Sequence, residues 1–297
     1  MKKFSLFLLL LLLPALAVSQ SMHNLAALEN AALRQNDWAG HRVWVHGSTP
    51  GGNGTSRASG VILDPWNVLV AGHQVFSNSF GGYAFDIVVG RGSNYNSEPG
   101  NVFSVSNYEV HPGWTGGNTF GNTVDMAILH LATPIPGVSS LNIAPSQMGQ
   151  QLVAVGYGRP ATPGSGYLPI DGQARAFNMY VDQFGTSGGT ISQDYLVSLF
   201  MPTFMRSDSL AGGGTPGNSG SGVFNATGDL VGLAVGIGGS APGYGYATAA
   251  LRIDLFQNWI LTNMKVPTPP RPISISHAEV VHSFCLRPHR PWPAKEC

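Results

Sequence analysis

The sequence has little charge. Only 10% of its 297 residues are charged, the formal net charge is zero, and no basic run interrupts the body of the chain. Nucleic-acid-binding domains carry a basic patch or stripe on their surface. The composition therefore argues against that function, and we expect no nucleic-acid partner.

Cysteine is almost absent. The two cysteines, Cys285 and Cys297, both lie near the end of the sequence, so no disulfide can cross-link the residues before them. The body of the chain must therefore be held together by packing. We expect the two cysteines of an exported protein to form a disulfide with each other. Metal binding by this tail is the alternative, but the spacing fits no common zinc pattern; the other candidate ligands are His277, His282 and His289.

One long hydrophobic run is present, at the start of the sequence. Residues 1–17 read MKKFSLFLLLLLLPALA, in which two lysines precede an apolar run that ends in an A-x-A pattern. Such a run is typical of a cleaved signal peptide, and it is shorter than the ~20 residues that span a bilayer. We predict a mature protein that begins near Val18 and is secreted or periplasmic, without membrane association. A membrane anchor is the alternative interpretation.

Long helical patterns are scarce as well. Short runs of Val, Ile, Leu and aromatic residues, such as HRVWVHG, NVLVAGH and DMAILHL, alternate with Gly, Pro, Asn and Ser clusters. Such spacing predicts an all-β protein with antiparallel sheets, because parallel sheets would need helical crossovers. Only residues 25–35 and 254–264 have helical spacing. We therefore divide the chain into a signal peptide (1–17), an N-terminal segment with a predicted helix (18–37), a β body (38–264) and a Pro-rich linker and tail (265–297).

A glycine-rich stretch, GGGTPGNSGSGVF at residues 212–224, cannot form a helix or an ordinary strand. One interpretation is a surface loop. The other is a tight backbone curl whose N–H groups bind an oxyanion beside Ser219. The second interpretation requires a base and an orienting acid, and both residue types are present: His73 ends the strand pattern NVLVAGHQV, and Asp125 begins NTVDMAILHL. Either residue alone is also common in a purely structural role.

Taken together, these segments resemble the trypsin/chymotrypsin family of serine endopeptidases. SGVILDPWNVLVAGHQV is similar to the family's paired strands and TAAHC turn, VDMAILHL to DIALL, VAVGYG to GWG and APGYGYATA to PGVYT, while GNSGSG stands where the family has GDSGGP. The resemblance covers about residues 38–264. It implies two six-stranded antiparallel β-barrels with the active site in the seam between them, a C-terminal helix, and hydrolysis of protein or peptide substrates without a cofactor or metal.

The resemblance also assigns roles to single residues. Ser219 is the expected nucleophile, His73 its general base, and Asp125 the acid that orients the imidazole. The N–H groups of Gly217 and Ser219 are expected to form the oxyanion hole. The family's serine that supports the aspartate is absent, because Val235 or Gly236 stands in its place.

Asn218 departs from the family pattern. In the animal enzymes an aspartate at this position pairs with an amino terminus released by cleavage, and a neutral amide cannot form that ion pair. The sequence also lacks an IVGG-like start. We therefore predict a bacterial secreted member that needs no such activation. Relatives such as the glutamyl endopeptidases are more similar, although their pocket-strand histidine is missing. A removable N-terminal pro-segment is the alternative.

The resemblance allows a coarse prediction of substrate preference. Gly213 is expected at the base of the primary pocket, Gly243 in its wall, and Val235, Gly236 and Ile237 along the substrate main chain. No carboxylate is present to compensate a buried lysine or arginine of the substrate, so we expect an apolar or small residue there. We expect a monomer. A catalytically inactive binding module with the same fold is the alternative function.

Overall fold

The computed structural model describes residues 20–50, 55–117, 123–185, 192–238 and 242–265. The predicted signal peptide and the Pro-rich tail with its two cysteines lie outside these residues. The first half of the described chain contains β1 (Gln20–Met22), α1 (Leu25–Arg34), β2 (Arg42–Ser48), β3 (Thr55–Asp64), β4 (Asn67–Val70), β5 (Phe76–Ser77), β6 (Gly82–Tyr83), β7 (Phe85–Gly90), β8 (Val102–Val110) and β9 (Ala127–Leu131), with 3₁₀ turns at Gln35–Trp38, Gly72–Gln74 and Asn78–Phe80.

The second half contains β10 (Gln151–Gly156), β11 (Pro160–Thr162), β12 (Gly166–Tyr167), β13 (Arg175–Tyr180), β14 (Gln183–Phe184), β15 (Tyr195–Leu199), β16 (Gly212–Gly213), β17 (Gly222–Phe224), β18 (Leu230–Gly238), β19 (Ala247–Arg252), a 3₁₀ turn at Ile253–Phe256 and α2 (Gln257–Asn263). The predicted all-β class, with one short helix near each end of the body, is confirmed. Within the described residues, no helix is long and apolar enough to cross a membrane.

The first half closes into a barrel of six antiparallel strands in the order β2, β3, β4, β9, β8 and β7. Its interior is filled by the alternate, apolar side chains of these strands, because successive strand residues point to opposite faces. Members of this core include Val43, Ile62, Val68, Val89 and Leu129. One of the two predicted barrels is therefore present in full.

The second half is an antiparallel sheet of seven strands in the order β13, β10, β17, β18, β19, β15 and β14, which curls into a half-barrel. The seam between β13 and β15 is not closed by a backbone ladder. There, the amide of Tyr180 donates to the hydroxyl of Ser198 at 3.0 Å rather than to a strand carbonyl. A side-chain contact and a single backbone hydrogen bond, from Asp182 N to Val197 O at 3.0 Å, thus connect the two strands here.

The N-terminal segment is part of this second half. Strand β1 pairs parallel to β11 and antiparallel to β16, and Met22 is completely buried. Helix α1 begins at the cap residue Asn24, whose side chain accepts a hydrogen bond from Ala27 N at 2.9 Å. Its apolar face packs in one cluster with the half-barrel; that cluster includes Leu28, Ala31, Leu152, Phe177 and Met179. This burial does not favour a removable pro-segment.

We predict that truncating the buried face of α1 destabilises the whole protein. Leu28 is 0% exposed, and Leu28→Ala should lower the free energy of unfolding by about 2–5 kcal/mol because it leaves a cavity. Leu33 on the same helix is 70% exposed, and Leu33→Ala should change stability by less than about 0.5 kcal/mol. Urea denaturation of both variants measures the difference. Equal effects would show that the helix is not integral to the fold.

Candidate active site

The first barrel brings His73 and Asp125 together. His73 lies in the 3₁₀ turn after β4, and Asp125 lies two residues before β9, while β4 and β9 are neighbouring strands with Val70 opposite Ala127. Gly72 allows this close approach, because a Cβ atom at that position would lie only 2.9 Å from Met126 N. Strand pairing therefore fixes the two side chains side by side.

Hydrogen bonds connect the three predicted catalytic residues. His73 Nδ1 lies 2.7 Å from Asp125 Oδ2, and the His73 amide donates to Asp125 Oδ1 at 2.8 Å. His73 Nε2 lies 2.8 Å from Ser219 Oγ. With the proton on Nδ1, the carboxylate accepts from the ring and Nε2 is free to accept the proton of the serine. This arrangement is the one that general-base activation of a serine requires.

Asp125 is 0% exposed, yet both of its carboxylate oxygens accept hydrogen bonds from His73. The absence of the family's supporting serine therefore leaves neither oxygen without a donor. Tyr195 of the half-barrel closes this side of the site, and its hydroxyl donates to Thr123 O at 3.0 Å. Burial, together with the nearby charge of Asp125, raises the pKa of Tyr195, so the phenol stays neutral. The sequence patterns gave no sign of this tyrosine.

Two carbonyl contacts in the loop before Ser219 fix the direction of two N–H groups. Pro216 O accepts from Arg159 N at 2.7 Å, and Asn218 O accepts from Ser221 N at 2.8 Å. In a trans peptide the N–H points opposite to the C=O, so the N–H groups of Gly217 and Ser219 point away from these contacts. Neither has an acceptor among the described residues. Gly217 has a φ of +99°, a conformation that favours glycine.

Asn218 is buried within a neutral network. Its Oδ1 accepts from Thr215 N at 2.9 Å, and its Nδ2 donates to Ser221 Oγ at 3.4 Å. Its hydrogen-bond partners within the described chain are uncharged. The Asn218 side chain thus links Thr215 to Ser221 across the turn that carries Ser219. It stabilises this turn with neutral hydrogen bonds in place of an ion pair.

A small cavity of about 90 Å³ opens beside Ser219. The predicted residues Val235, Gly236 and Ile237 line it, whereas Gly213 and Gly243 do not. The other lining residues are all uncharged: Gly214, Thr215, Pro216, Asn218, Ser219, Ala234 and Thr248.

Two contacts hold Gly213 outside the cavity. It pairs with Ser21 of β1, and a Cβ atom at Gly213 would lie only 2.1 Å from the hydroxyl of Tyr246. Ile237 and Thr248 line the cavity beside Gly214. Their Cγ2 atoms lie 3.5 Å and 3.1 Å from the place where a Cβ of Gly214 would stand. Thr248 Oγ1 also accepts from Gly214 N at 2.8 Å, which fixes its side chain.

The fold and this arrangement define a trypsin-like peptidase fold, and the comparison with known families agrees. Residues 34–260 match the family model for trypsin, so the chain belongs to the trypsin family. A comparison with curated protein sequences gives no match.

Solved structures with a similar fold include a scabies mite inactivated protease paralogue, with 18% identity and a TM-score of 0.55 over 74% of this chain and 92% of that chain. Granzyme C has 16% identity and a TM-score of 0.58 over 77% of this chain and 95% of that chain.

We predict that an aspartate at position 218 is destabilising. Asn218 is 3% exposed, so Asn218→Asp would bury a carboxylate without a cation, at a cost of about 3–5 kcal/mol at pH 7. Burial should raise the pKa of the new carboxyl above the ~3.9 of an unfolded aspartate. The variant should therefore be closest to the native protein below about pH 4 and lose stability as the pH rises.

Chemical denaturation between pH 4 and pH 8 measures this effect. Asn101→Asp is the matched control, since Asn101 is exposed and its substitution should change stability little at any pH. If Asn218→Asp were as stable as the control at pH 8, a cation would have to reach the site, and our interpretation of Asn218 would be wrong.

Proposed function

We propose that the chain is a secreted serine endopeptidase that hydrolyses peptide bonds through His73, Asp125 and Ser219 and an acyl-enzyme intermediate. The observation that carries this proposal is the continuous set of contacts from buried Asp125 through His73 to Ser219, with distances of 2.7 Å and 2.8 Å. Family membership supports the same reaction type. The predicted signal peptide supports export, which is typical of trypsin-like peptidases.

The proposed mechanism has two halves. Ser219 Oγ attacks the scissile carbonyl carbon while its proton passes to His73 Nε2, and Asp125 stabilises the imidazolium that forms. The carbonyl oxygen becomes an oxyanion, which the N–H groups of Gly217 and Ser219 bind. When this tetrahedral intermediate collapses, the C–N bond breaks and His73 gives its proton to the leaving amine. Water then attacks the acyl-enzyme by the same steps, with His73 as the base, which releases the acid product and restores Ser219.

The free edge of β18 offers a place for the substrate backbone. Strand β17 pairs with β18 only as far as Leu233, so the edge from Val235 to Ile237 has no strand partner on that side among the described residues. An extended peptide can add to such an edge by main-chain hydrogen bonds. This placement would direct the side chain that precedes the scissile bond into the cavity beside Ser219.

The cavity favours a small or apolar residue. It has about 90 Å³ of space, and the described residues that line it are all uncharged. A lysine or arginine would be desolvated there without a counter-charge, which is strongly unfavourable. Ile237 and Thr248 line this small space, so among apolar residues the smaller ones fit best.

The second candidate function is a catalytically inactive binding module. It is supported by one comparison, because a solved structure with the same fold is described as an inactivated protease paralogue. Covalent labelling distinguishes the two functions, since a fluorophosphonate reacts with an activated serine and not with an ordinary one.

We predict that a fluorophosphonate labels the native protein at Ser219 and that Ser219→Ala is neither labelled nor active. Activity on a chromogenic peptide should fall by at least about 10⁴-fold, and His73→Ala should be equally inactive because the two residues act as one unit. The thermal unfolding midpoint of Ser219→Ala should stay close to that of the native protein, since the loop is held by backbone contacts. If the native protein is folded, as its thermal unfolding shows, but is not labelled by the fluorophosphonate, it is the binding module.

We also predict that Ile237→Ala changes substrate preference. Removing this side chain enlarges the cavity, so kcat/KM for a peptide with phenylalanine before the scissile bond should rise relative to alanine by about tenfold or more, the usual scale for a few methylene groups. Ile170→Ala is the control, because Ile170 is 61% exposed and lies outside the cavity. Competition assays with the two peptides give the ratio directly. An unchanged ratio would exclude Ile237 from the pocket.

A further inference from the structure

Ser59 of β3 contacts both residues whose N–H groups form the proposed oxyanion hole. Its amide donates to Ser219 O at 2.9 Å, and its hydroxyl donates to Gly217 O at 2.8 Å. Ser59 belongs to the first barrel, whereas the loop belongs to the second half. The side chain is 0% exposed, so no water competes for these contacts.

The hydroxyl of Ser59 has a fixed direction. Tyr157 N donates to Ser59 Oγ at 2.8 Å, which occupies the oxygen as an acceptor and leaves its single proton for Gly217 O. Tyr157 is itself anchored, because its phenol donates to Gly92 O at 2.6 Å. Burial raises the pKa of Tyr157 to about 12, so the phenol remains a donor.

Ser59 also contacts the histidine turn. Gln74, the residue after His73, donates from Nε2 to Ser59 O at 3.2 Å. Gly220 lies against this contact, since a Cβ atom there would stand 2.1 Å from Ser59 O and 2.5 Å from Gln74 Nε2. One residue therefore connects the turn that carries the base with the loop that carries the nucleophile.

We propose that Ser59 is a positioning residue that holds the Gly217 backbone with its N–H directed at the oxyanion; this inference rests on the proposed function. Gly217 needs such a restraint because glycine has the greatest backbone freedom of any residue. Arg159 N holds the peptide that carries the Gly217 N–H, and the next peptide is held by Ser59 Oγ at its carbonyl and by Asn218 N, which donates to Thr215 O at 3.0 Å. Without the hydroxyl, the Gly217 carbonyl loses its contact with the first barrel, so the loop that carries the two N–H groups can shift relative to His73.

The test compares Ser59→Ala with the native enzyme on a chromogenic peptide that has alanine before the scissile bond. We expect kcat to fall by about 10- to 100-fold, less than the ~10²–10³ seen when an oxyanion donor is removed outright. KM should change by less than about twofold, because the interaction acts in the transition state. The inhibition constant of a peptidyl trifluoromethyl ketone, which forms an oxyanion at Ser219, should rise in parallel with the loss in kcat.

Ser198→Ala is the matched control, since Ser198 is also a buried serine that accepts a backbone amide. It should keep native kcat and inhibitor affinity. Ser59→Cys is a second variant in case alanine prevents folding: a thiol is a weak donor, and kcat should again fall by about tenfold.

The outcomes separate this inference from the proposed function. A native protein with neither turnover nor fluorophosphonate label would overturn both. An active native enzyme whose folded Ser59 variant keeps kcat and inhibitor affinity within about twofold would overturn the positioning role alone. The same losses in Ser198→Ala would also overturn it, because they would then reflect general destabilisation.

Discussion

The buried carboxylate of Asp125 is the constraint on which the site depends. Asp125 is 0% exposed, and a buried carboxylate must be compensated by hydrogen bonds and by a partner that carries, or can gain, a positive charge. Here both oxygens are bound by His73, through its ring and its own amide. That double contact exists only in the observed register of β4 and β9, where Val70 stands opposite Ala127. A slip of one residue would reverse the side chains and leave the carboxylate unpaired, so the register of the barrel and the geometry of the site are set together.

The two halves meet through both apolar and polar contacts. One apolar cluster crosses the seam and includes Val61, Leu69 and Met126 with Val155, Phe224 and Leu251. Beside it, Arg42 of the first barrel is buried and donates to the hydroxyl of Tyr157 at 2.5 Å and to Gly92 O at 2.7 Å. Polar groups buried in this way are costly unless each finds its partner. The apolar cluster therefore supplies the attraction, and the polar network restricts the two halves to one alignment, as a site divided between them requires.

Much of this was predictable because the informative residues have strong local signatures. Alternating strands, the strand-end histidine and the glycine-rich loop led to the confirmed fold class and to the three side chains that the structure brings together. Residues whose roles arise from strand pairing were missed. Thr248 reaches the cavity because it lies opposite Ile237 across β18 and β19, and Tyr195 reaches the neighbourhood of Asp125 from the other half. Gly213 was expected in the pocket, but it pairs with β1, a three-residue strand without any periodic signal.

The insertion of β1 between β11 and β16 bears on the order in which the chain folds. Its partners follow it at a long distance in the sequence: Pro160 lies 140 residues after Gln20, and Gly212 lies 190 residues after Met22. Contacts of such sequence separation close large loops and slow folding. Strand β1 therefore cannot pair until these later segments are available, while the barrel formed by β2 to β9 can assemble from nearby segments. On this argument we expect β1 to become ordered after the barrel, although it precedes the barrel in the sequence.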